Sequence, residues 1–319
     1  MHLGTVEAAE GVLRDLYVDL RRKVRLWSEL TQQTPQARMG YVGQHLVSAM
    51  TGFPGGRSGA RGKDLVLPGN EHAEIKTCSR VDQLGSCNAC DARVSSIELE
   101  CPQCGSTDIL RKDDSKWLIG VKTQAELKDL FDSRFFYFVL FDFADLANAV
   151  DINARIWRVD PRTKAFAYCM IDYFHNIGSR STSGAPFNMW PFKLKFDLLA
   201  ADLIFHAEIS EDDRIITRLF EGQTGPAWRQ PLPPLDKYAR SGGEELNVET
   251  LAAVAEHLGI NLPVRQKRAL LEGIETERHR RSIADETLIS VFCDALYGRR
   301  IQPHLADLPA GVAGPSFLA

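Results

Sequence analysis

Two groups of side chains stand out by type and spacing. The first is Asp64, followed ten residues later by Glu74-Ile-Lys76. In a strand, residues i and i+2 share a face. Glu74 and Lys76 would then project together, with Ile75 turned into a core. A hairpin turn between Asp64 and Glu74 would bring the two carboxylates side by side. Paired carboxylates suit Mg²⁺, a hard cation that takes oxygen ligands and keeps some of its waters. Water activated by such a cation can attack a phosphodiester. A neighbouring lysine can orient that water or offset the charge growing on phosphate oxygens. The same residues also fit a solvated hairpin with ordinary charges. Acid-x-Lys recurs at Asp114-Ser-Lys116, in a polar tract, and at Glu126-Leu-Lys128, on an expected helix where i and i+2 diverge. Only Glu74 has a strand–turn–strand setting with a Gly/Arg loop before it.

The second group is Cys87-Asn-Ala-Cys90 and Cys101-Pro-Gln-Cys104, with ten residues between the pairs. Two C-x2-C knuckles fit a tetrahedral four-cysteine site, since each short loop presents two thiolates to one ion. The expected metal is structural Zn²⁺, with iron in a rubredoxin-like site as the competitor. Four protein ligands leave no open position for catalysis. The ion's role would be to fold a segment too small to hold itself together. Of the other cysteines, Cys78 reads as a strand-end thiol, and Cys169 and Cys293 read as core.

These groups need elements to position them. Residues 5–30 carry Val6, Leu13, Leu16, Leu20, Val24, Trp27 and Leu30 at helical spacing. A second helix carries Met39, Val42, Leu46 and Met50 on one side. The Gly-rich segment 52–62 cannot be helix or regular strand. Residues 63–67 and 71–77 read as two strands joined by the turn Pro68-Gly-Asn70. The polar, cysteine-rich stretch 78–116 reads as an insertion. Residues 121–131 look helical, and 134–143 read as a buried central strand. Further strands are expected at 156–159 and 166–171, with a proline-rich linker over 222–243. The C-terminal part reads as helices. Asn247 caps the first, which ends at Gly259. The second spans 264–274. Ser282 and Asp285 form a capping box before the third.

Composition narrows the class. The chain has 319 residues, 44% hydrophobic and 25% charged, so one large or two smaller globular domains are expected. No apolar run approaches the roughly 20 residues of a spanning helix. Glu7, Glu10 and Asp15 stand where a secretory signal would be basic and then apolar. The expectation is a cytoplasmic protein with no membrane partner. The net charge of −4 argues against a coating or histone-like nucleic-acid binder, but not against a sequence-specific one with local positive charge.

The stretch Gly59-Ala-Arg-Gly-Lys-Asp-Leu65 followed by Glu74-Ile-Lys76 resembles the PD-(D/E)XK nuclease superfamily. Within it, the resemblance is to type II restriction endonucleases of the MamI group. It covers residues 40–145 best. It implies an α/β fold with a mixed central sheet flanked by helices. It also implies Mg²⁺ on Asp64 and Glu74, Lys76 assisting the attacking water, double-stranded DNA as partner, and a homodimer cutting a short symmetric site in a restriction-modification system. The proline expected before the Asp is Lys63 here. Many members carry a Glu on the preceding helix, where this chain offers Gln44, with Glu29 as a weak substitute. The expected organisation is a nuclease core over 1–230, interrupted by a zinc ribbon over 78–116, then a linker and a helical subdomain over 231–319.

Candidate DNA contacts follow from local charge and hydrogen-bonding capacity. Arg57, Arg61 and Lys63 lie in a loop with no acid between Gly52 and Lys63. Asn176 and Arg180 sit in a polar loop that suits bases or phosphates. Arg265, Lys267 and Arg268 open the second helix of a helix-turn-helix-like segment, though a plain helical subdomain or a dimer contact fits it as well. Trp190, Phe192, Lys193 and Lys195 fit either a DNA flank or a core. Two rival functions stay open at this level. One is a non-enzymatic zinc-ribbon and helix-turn-helix DNA-binding regulator. The other is a repair or resolvase nuclease that recognises structure rather than sequence.

Overall fold

The computed structural model describes residues 2–33, 38–56, 63–79, 85–94, 100–110, 116–145, 150–181, 184–191, 193–210, 212–238, 246–261 and 266–316. The chain divides into two compact units. One comprises Met1–Leu118, Ser133–Arg158 and Asp202–Trp228; the other comprises Ile119–Asp132, Val159–Ala201 and Arg229–Ala319. Among the described residues, no helix is long and apolar enough to cross a membrane.

The first unit is a mixed sheet covered by helices. The main path of this seven-stranded sheet is β1 (Leu65–Val66), β2 (His72–Ser79), β3 (Phe135–Asp145), β4 (Val150–Val159), β5 (Asp202–Ile209) and β6 (Ile215–Phe220), in spatial order β1-β2-β3-β4-β5-β6, with one further short strand off this path. β1 and β2 form an antiparallel hairpin, and β2 runs parallel to β3. The expected turn holds: Gly69 and Asn70 both take positive φ, which these residue types tolerate. β3 is buried on both faces from Phe136 to Phe141, so its sequence reads as a continuous apolar run rather than an alternation. One face carries Tyr137, Val139 and Phe141, which join Ile75, Leu46, Val47 and Tyr17 in one core cluster. Tyr17 stacks on Phe141 with centroids 4.4 Å apart. Burying each large apolar side chain contributes about 1.5–3 kcal/mol, so this layer fixes the sheet on which the hairpin rests.

Helices α1 (Val6–Val12) and α2 (Asp19–Thr31) are joined by a π-turn, Leu13–Val18. That turn changes the expected apolar stripe. A wider turn takes an extra residue and rotates the following face. Leu13, Tyr17, Val18 and Ser28 are buried, whereas Trp27 and Leu30 are 64% and 69% exposed. Helix α3 (Met39–Thr51) lies so close to β2 that a Cβ on Gly43 would stand 1.9 Å from Thr77 Oγ1. A glycine is required there, and the close approach brings the neighbouring Gln44 to the hairpin.

The second unit is mainly helical, with α4 (Gln124–Asp132), α5 (Lys164–Asp172), α6 (Val248–His257), α7 (Lys267–Arg280) and α8 (Asp285–Cys293). Residues 166–171, expected as a strand, belong to α5. Every residue from Ala165 to Asp172 is buried. A helix buried all round loses its polar face, and with it the 3.6-residue signature. Asn247 caps α6 as expected, accepting from Thr250 N–H at 2.7 Å. The expected capping box before α8 is absent. Ala284 takes the N-cap position without a side-chain bond, and Asp285 instead accepts from Leu232 N–H and Arg278.

Candidate active site and cysteine module

The hairpin register sets the site. Leu65 pairs with Ala73 and Val66 with His72; one step further, Asp64 stands opposite Glu74. Directly opposed residues share a face, and Lys76 follows Glu74 on it. Asp64 is held on both oxygens. Gln44 Nε2 donates to Oδ1 at 2.8 Å, and the Ile75 N–H donates to Oδ2 at 2.8 Å. The first part of the Gly-rich segment holds the Asp64 backbone, with Gly56 N–H donating to its carbonyl at 3.0 Å.

Lys76 Nζ donates to Glu74 Oε2 at 2.8 Å, and both side chains are largely shielded from solvent. The other Glu74 oxygen, Oε1, is buried with no hydrogen-bond partner. A buried carboxylate oxygen without a donor is costly, and such groups mark strain or a role that needs a cation. Burial pushes the Asp64 carboxyl above its ordinary range, helped by the nearby Glu74 charge and opposed by the Ile75 N–H, Lys76 and Gln44. Two carboxylates and one ammonium leave one net negative charge here. A divalent cation fits that deficit, and the donor set is the oxygen-rich one a hard cation takes.

The cysteine module has its own small sheet of three short strands, Gly85–Cys87, Arg93–Val94 and Ile109–Leu110, with the first in the middle. Its two knuckles are built alike. Cys87 N–H donates to Ala92 O and Asp91 N–H to Cys87 O; Cys101 N–H donates to Ser106 O and Gly105 N–H to Cys101 O. The residue after the second cysteine takes positive φ in both, Asp91 at 57° and Gly105 at 70°. The four Sγ atoms lie within 4.8 Å of one another, with Cys87–Cys104 and Cys90–Cys101 each at 3.5 Å. A disulfide would need about 2.05 Å. A tetrahedral ion with sulfur arms of about 2.3 Å spaces its sulfurs by about 3.8 Å. The spacing therefore fits a four-thiolate metal site.

The remaining candidates are placed as follows. Arg57, Arg61 and Arg265 lie outside the described residues. Lys63 and Arg180 are exposed. Asn176 directs its amide to Asp172 Oδ1 and the Arg300 carbonyl, both at 3.0 Å. Lys267 is half-buried, and Arg268 is exposed and paired with Glu272. Glu29 pairs with Arg25 on the surface of α2. Sequence reasoning missed the Ile75 peptide N–H as an anchor for Asp64. Its only signal was the position of Ile75 between Glu74 and Lys76.

The family model for the MamI restriction endonuclease matches residues 26–223, well over half of the chain, and that span contains Asp64, Glu74, Lys76 and the four cysteines. Comparison with curated proteins and with solved structures gives no match.

Proposed function

This chain belongs to the MamI restriction endonuclease family, and on that premise we propose that it is a type II enzyme hydrolysing phosphodiesters of double-stranded DNA at a specific site, with Mg²⁺ at Asp64 and Glu74. Family membership makes it a DNA-cleaving hydrolase. The observation that carries the finer reading is Glu74 Oε1, buried and without a donor beside Asp64. It supports a PD-(D/E)XK arrangement in which a cation supplies the missing partner.

Bound Mg²⁺ would supply charge neutralisation and polarisation at the scissile phosphate. The chain's own groups do the rest. Asp64 is pre-oriented by Gln44 and Ile75, so it reaches the cation without first losing rotamer freedom. Lys76 holds its ammonium on the Glu74 face, where it can donate to the attacking water or to a phosphate oxygen as negative charge develops. Water forms the new P–O bond and loses a proton to solvent. The P–O bond to the leaving nucleotide breaks, and the leaving oxygen takes up a proton.

Cys87, Cys90, Cys101 and Cys104 hold a structural Zn²⁺ in this reading, supported by their sulfur spacing. The nuclease function belongs to residues 1–230, with 78–116 as the inserted zinc ribbon and 231–319 as a helical subdomain. Arg57, Arg61, Lys63, Asn176, Arg180, Arg265, Lys267 and Arg268 are the proposed DNA contacts. One constellation per chain and two strands to cut favour a homodimer on a palindromic site, since protein two-fold symmetry then matches site symmetry.

Digestion of unmethylated phage DNA with Mg²⁺ tests the reading. Discrete fragments are expected. A smear overturns site specificity, and no cutting overturns the enzyme assignment. A monomer by light scattering, both free and on cognate DNA, overturns the homodimer.

A further inference from the structure

In the second unit, far along the chain from the cysteines and the hairpin, three other metal-ligating side chains converge. His175 lies in the turn Tyr173–Ile177 that continues α5, and His304 and Asp307 lie in the 3-10 segment Gln302–Asp307. The two imidazoles stack with centroids 3.6 Å apart and planes 3° from parallel. His175 Nε2 is 2.6 Å from Asp307 Oδ2. One nitrogen from each ring and one Asp307 oxygen lie within 4.8 Å of one another, and all three residues are half-buried.

The surroundings hold these groups in place. Gln124 Nε2 donates to the other Asp307 oxygen at 2.5 Å. Phe174 meets the His175 ring edge-on at 4.7 Å. The two chain segments are tied together behind the cluster: buried Asp172 pairs with Arg300 at 2.7 Å, and Asn176 bridges Asp172 to the Arg300 carbonyl. A ligand carboxylate fixed by an outer hydrogen bond is a usual support of a metal site.

We propose that His175, His304 and Asp307 form a second transition-metal site, of the Zn²⁺ class, which clips the Gln302–Asp307 segment to the end of α5. Two nitrogens and one oxygen select borderline cations such as Zn²⁺, Co²⁺ or Ni²⁺ over Mg²⁺ and Ca²⁺. Three protein ligands leave a coordination position for water or an exogenous ligand, unlike the closed four-cysteine site. Imidazole lone pairs lie in the ring plane, so two parallel rings cannot both aim at one ion. Metal entry therefore splays the rings and replaces the His175–Asp307 hydrogen bond with coordination. The cation binds neutral imidazole. This site does not depend on the endonuclease reading.

The test is Co²⁺ titration of the full-length protein, with the cysteine site occupied as purified and millimolar Mg²⁺ saturating the hairpin carboxylates. One further equivalent per chain is expected, with weak visible bands and no thiolate-to-cobalt charge transfer. Zn²⁺ should displace it and raise Tm. His304→Ala and Asp307→Asn should each abolish that equivalent and the Tm response. Gln124→Ala, which removes only the outer hydrogen bond, should weaken binding about tenfold. Folding of each variant is checked by circular dichroism, and His175→Gln provides an independent ligand deletion. The proposal is overturned if wild-type protein takes up no such equivalent, or if uptake is the same in folded His304→Ala and Asp307→Asn.

Discussion

The hairpin site and the cysteine module lie close in sequence but are built in opposite ways. Asp64, Glu74 and Lys76 stand on the sheet edge over an extensive core, and their scaffold is held by Ile75, Tyr137, Val139 and the helices above. Among its described residues the module has little core. Cys87, Val94 and Cys101 are its buried cluster, with Cys90, Ala92 and Ile109 packed against it. Where apolar burial is plentiful, a chain can tolerate an unpartnered carboxylate oxygen and reserve it for a cation. Where burial is scarce, the cation becomes part of the fold. Removing metal should therefore silence the first site without unfolding it, and should unfold the second.

The largest effect expected from this contrast is on catalysis. Glu74→Ala and Lys76→Ala should each lower cleavage by about 10³-fold or more, since several kcal/mol of transition-state stabilisation is lost. Circular dichroism and Tm should stay close to wild type. Lys76→Ala should still bind DNA, and Ca²⁺ should support binding without cutting. A Glu74→Ala enzyme cutting at the normal rate would remove the hairpin from the active site altogether.

The next effect is structural and local. Cys87→Ser, Cys101→Ser or a strong chelator should release the module's metal and collapse amide protection over 85–110. The strands β2 and β3 should exchange as slowly as before. Hydrogen exchange by mass spectrometry reads both regions in one experiment. Protection of 85–110 surviving in metal-free protein would show that the module folds without its ion, and the contrast would fail.

Much of this contrast was legible in the sequence because it rests on local spacing. Glu74 and Lys76 share a strand face by period alone, Pro68-Gly-Asn70 marks the turn, and the two C-x2-C knuckles need only four residues each. The failures share a different cause. Trp27 and Leu30 are exposed because a π-turn upstream rotated the helix, and no residue type encodes that turn. Residues 166–171 form a helix because α5 is buried on every side, which erases periodicity. Ser282 with Asp285 has the spacing of a capping box, but Asp285 is claimed by Arg278, two turns back, and by the Leu232 peptide, distant in sequence. Gln44 was visible as the residue standing where the resemblance to the PD-(D/E)XK superfamily leads one to expect a Glu. Its hydrogen bond to Asp64 depends on the close approach of α3 to β2.

Gln44 gives a smaller effect, because it acts through Asp64. Its amide is a hydrogen bond to a carboxylate, and losing such an outer contact typically weakens metal affinity by about 10–100-fold. Gln44→Ala should raise the Mg²⁺ concentration needed for half-maximal cleavage by about tenfold, with little change in the rate at saturating Mg²⁺. Gln44→Glu should lower that concentration by adding a third negative charge. A Gln44→Ala enzyme with normal Mg²⁺ dependence and a reduced maximal rate would mean that Gln44 contacts DNA instead.

The smallest effect concerns stability, and its sign separates the two regions most sharply. Burial raises the Asp64 pKa above its ordinary value, so the folded protein binds that proton more tightly than the unfolded chain. Stability from this group is then full below the unfolded pKa. It is lost as pH rises through the folded pKa, and at neutral pH the charged carboxylate works against the fold. Asp64→Asn removes the charge while keeping the contacts. The Ile75 N–H can donate to the new amide oxygen, and Gln44 can turn its own amide to accept from the new NH₂. Metal-free Asp64→Asn should therefore melt slightly above wild type at pH 7, and the gap should close as pH falls below the ordinary carboxylate range. Added Mg²⁺ should raise the wild-type Tm by binding the native state, and leave the variant unmoved. A serine at Cys87 should do the reverse, lowering Tm in metal-loaded protein and leaving metal-free protein unmoved. Asp64→Asn melting below wild type at pH 7 without metal would mean that its carboxylate stabilises the hairpin, and that the site is not held in tension for a cation.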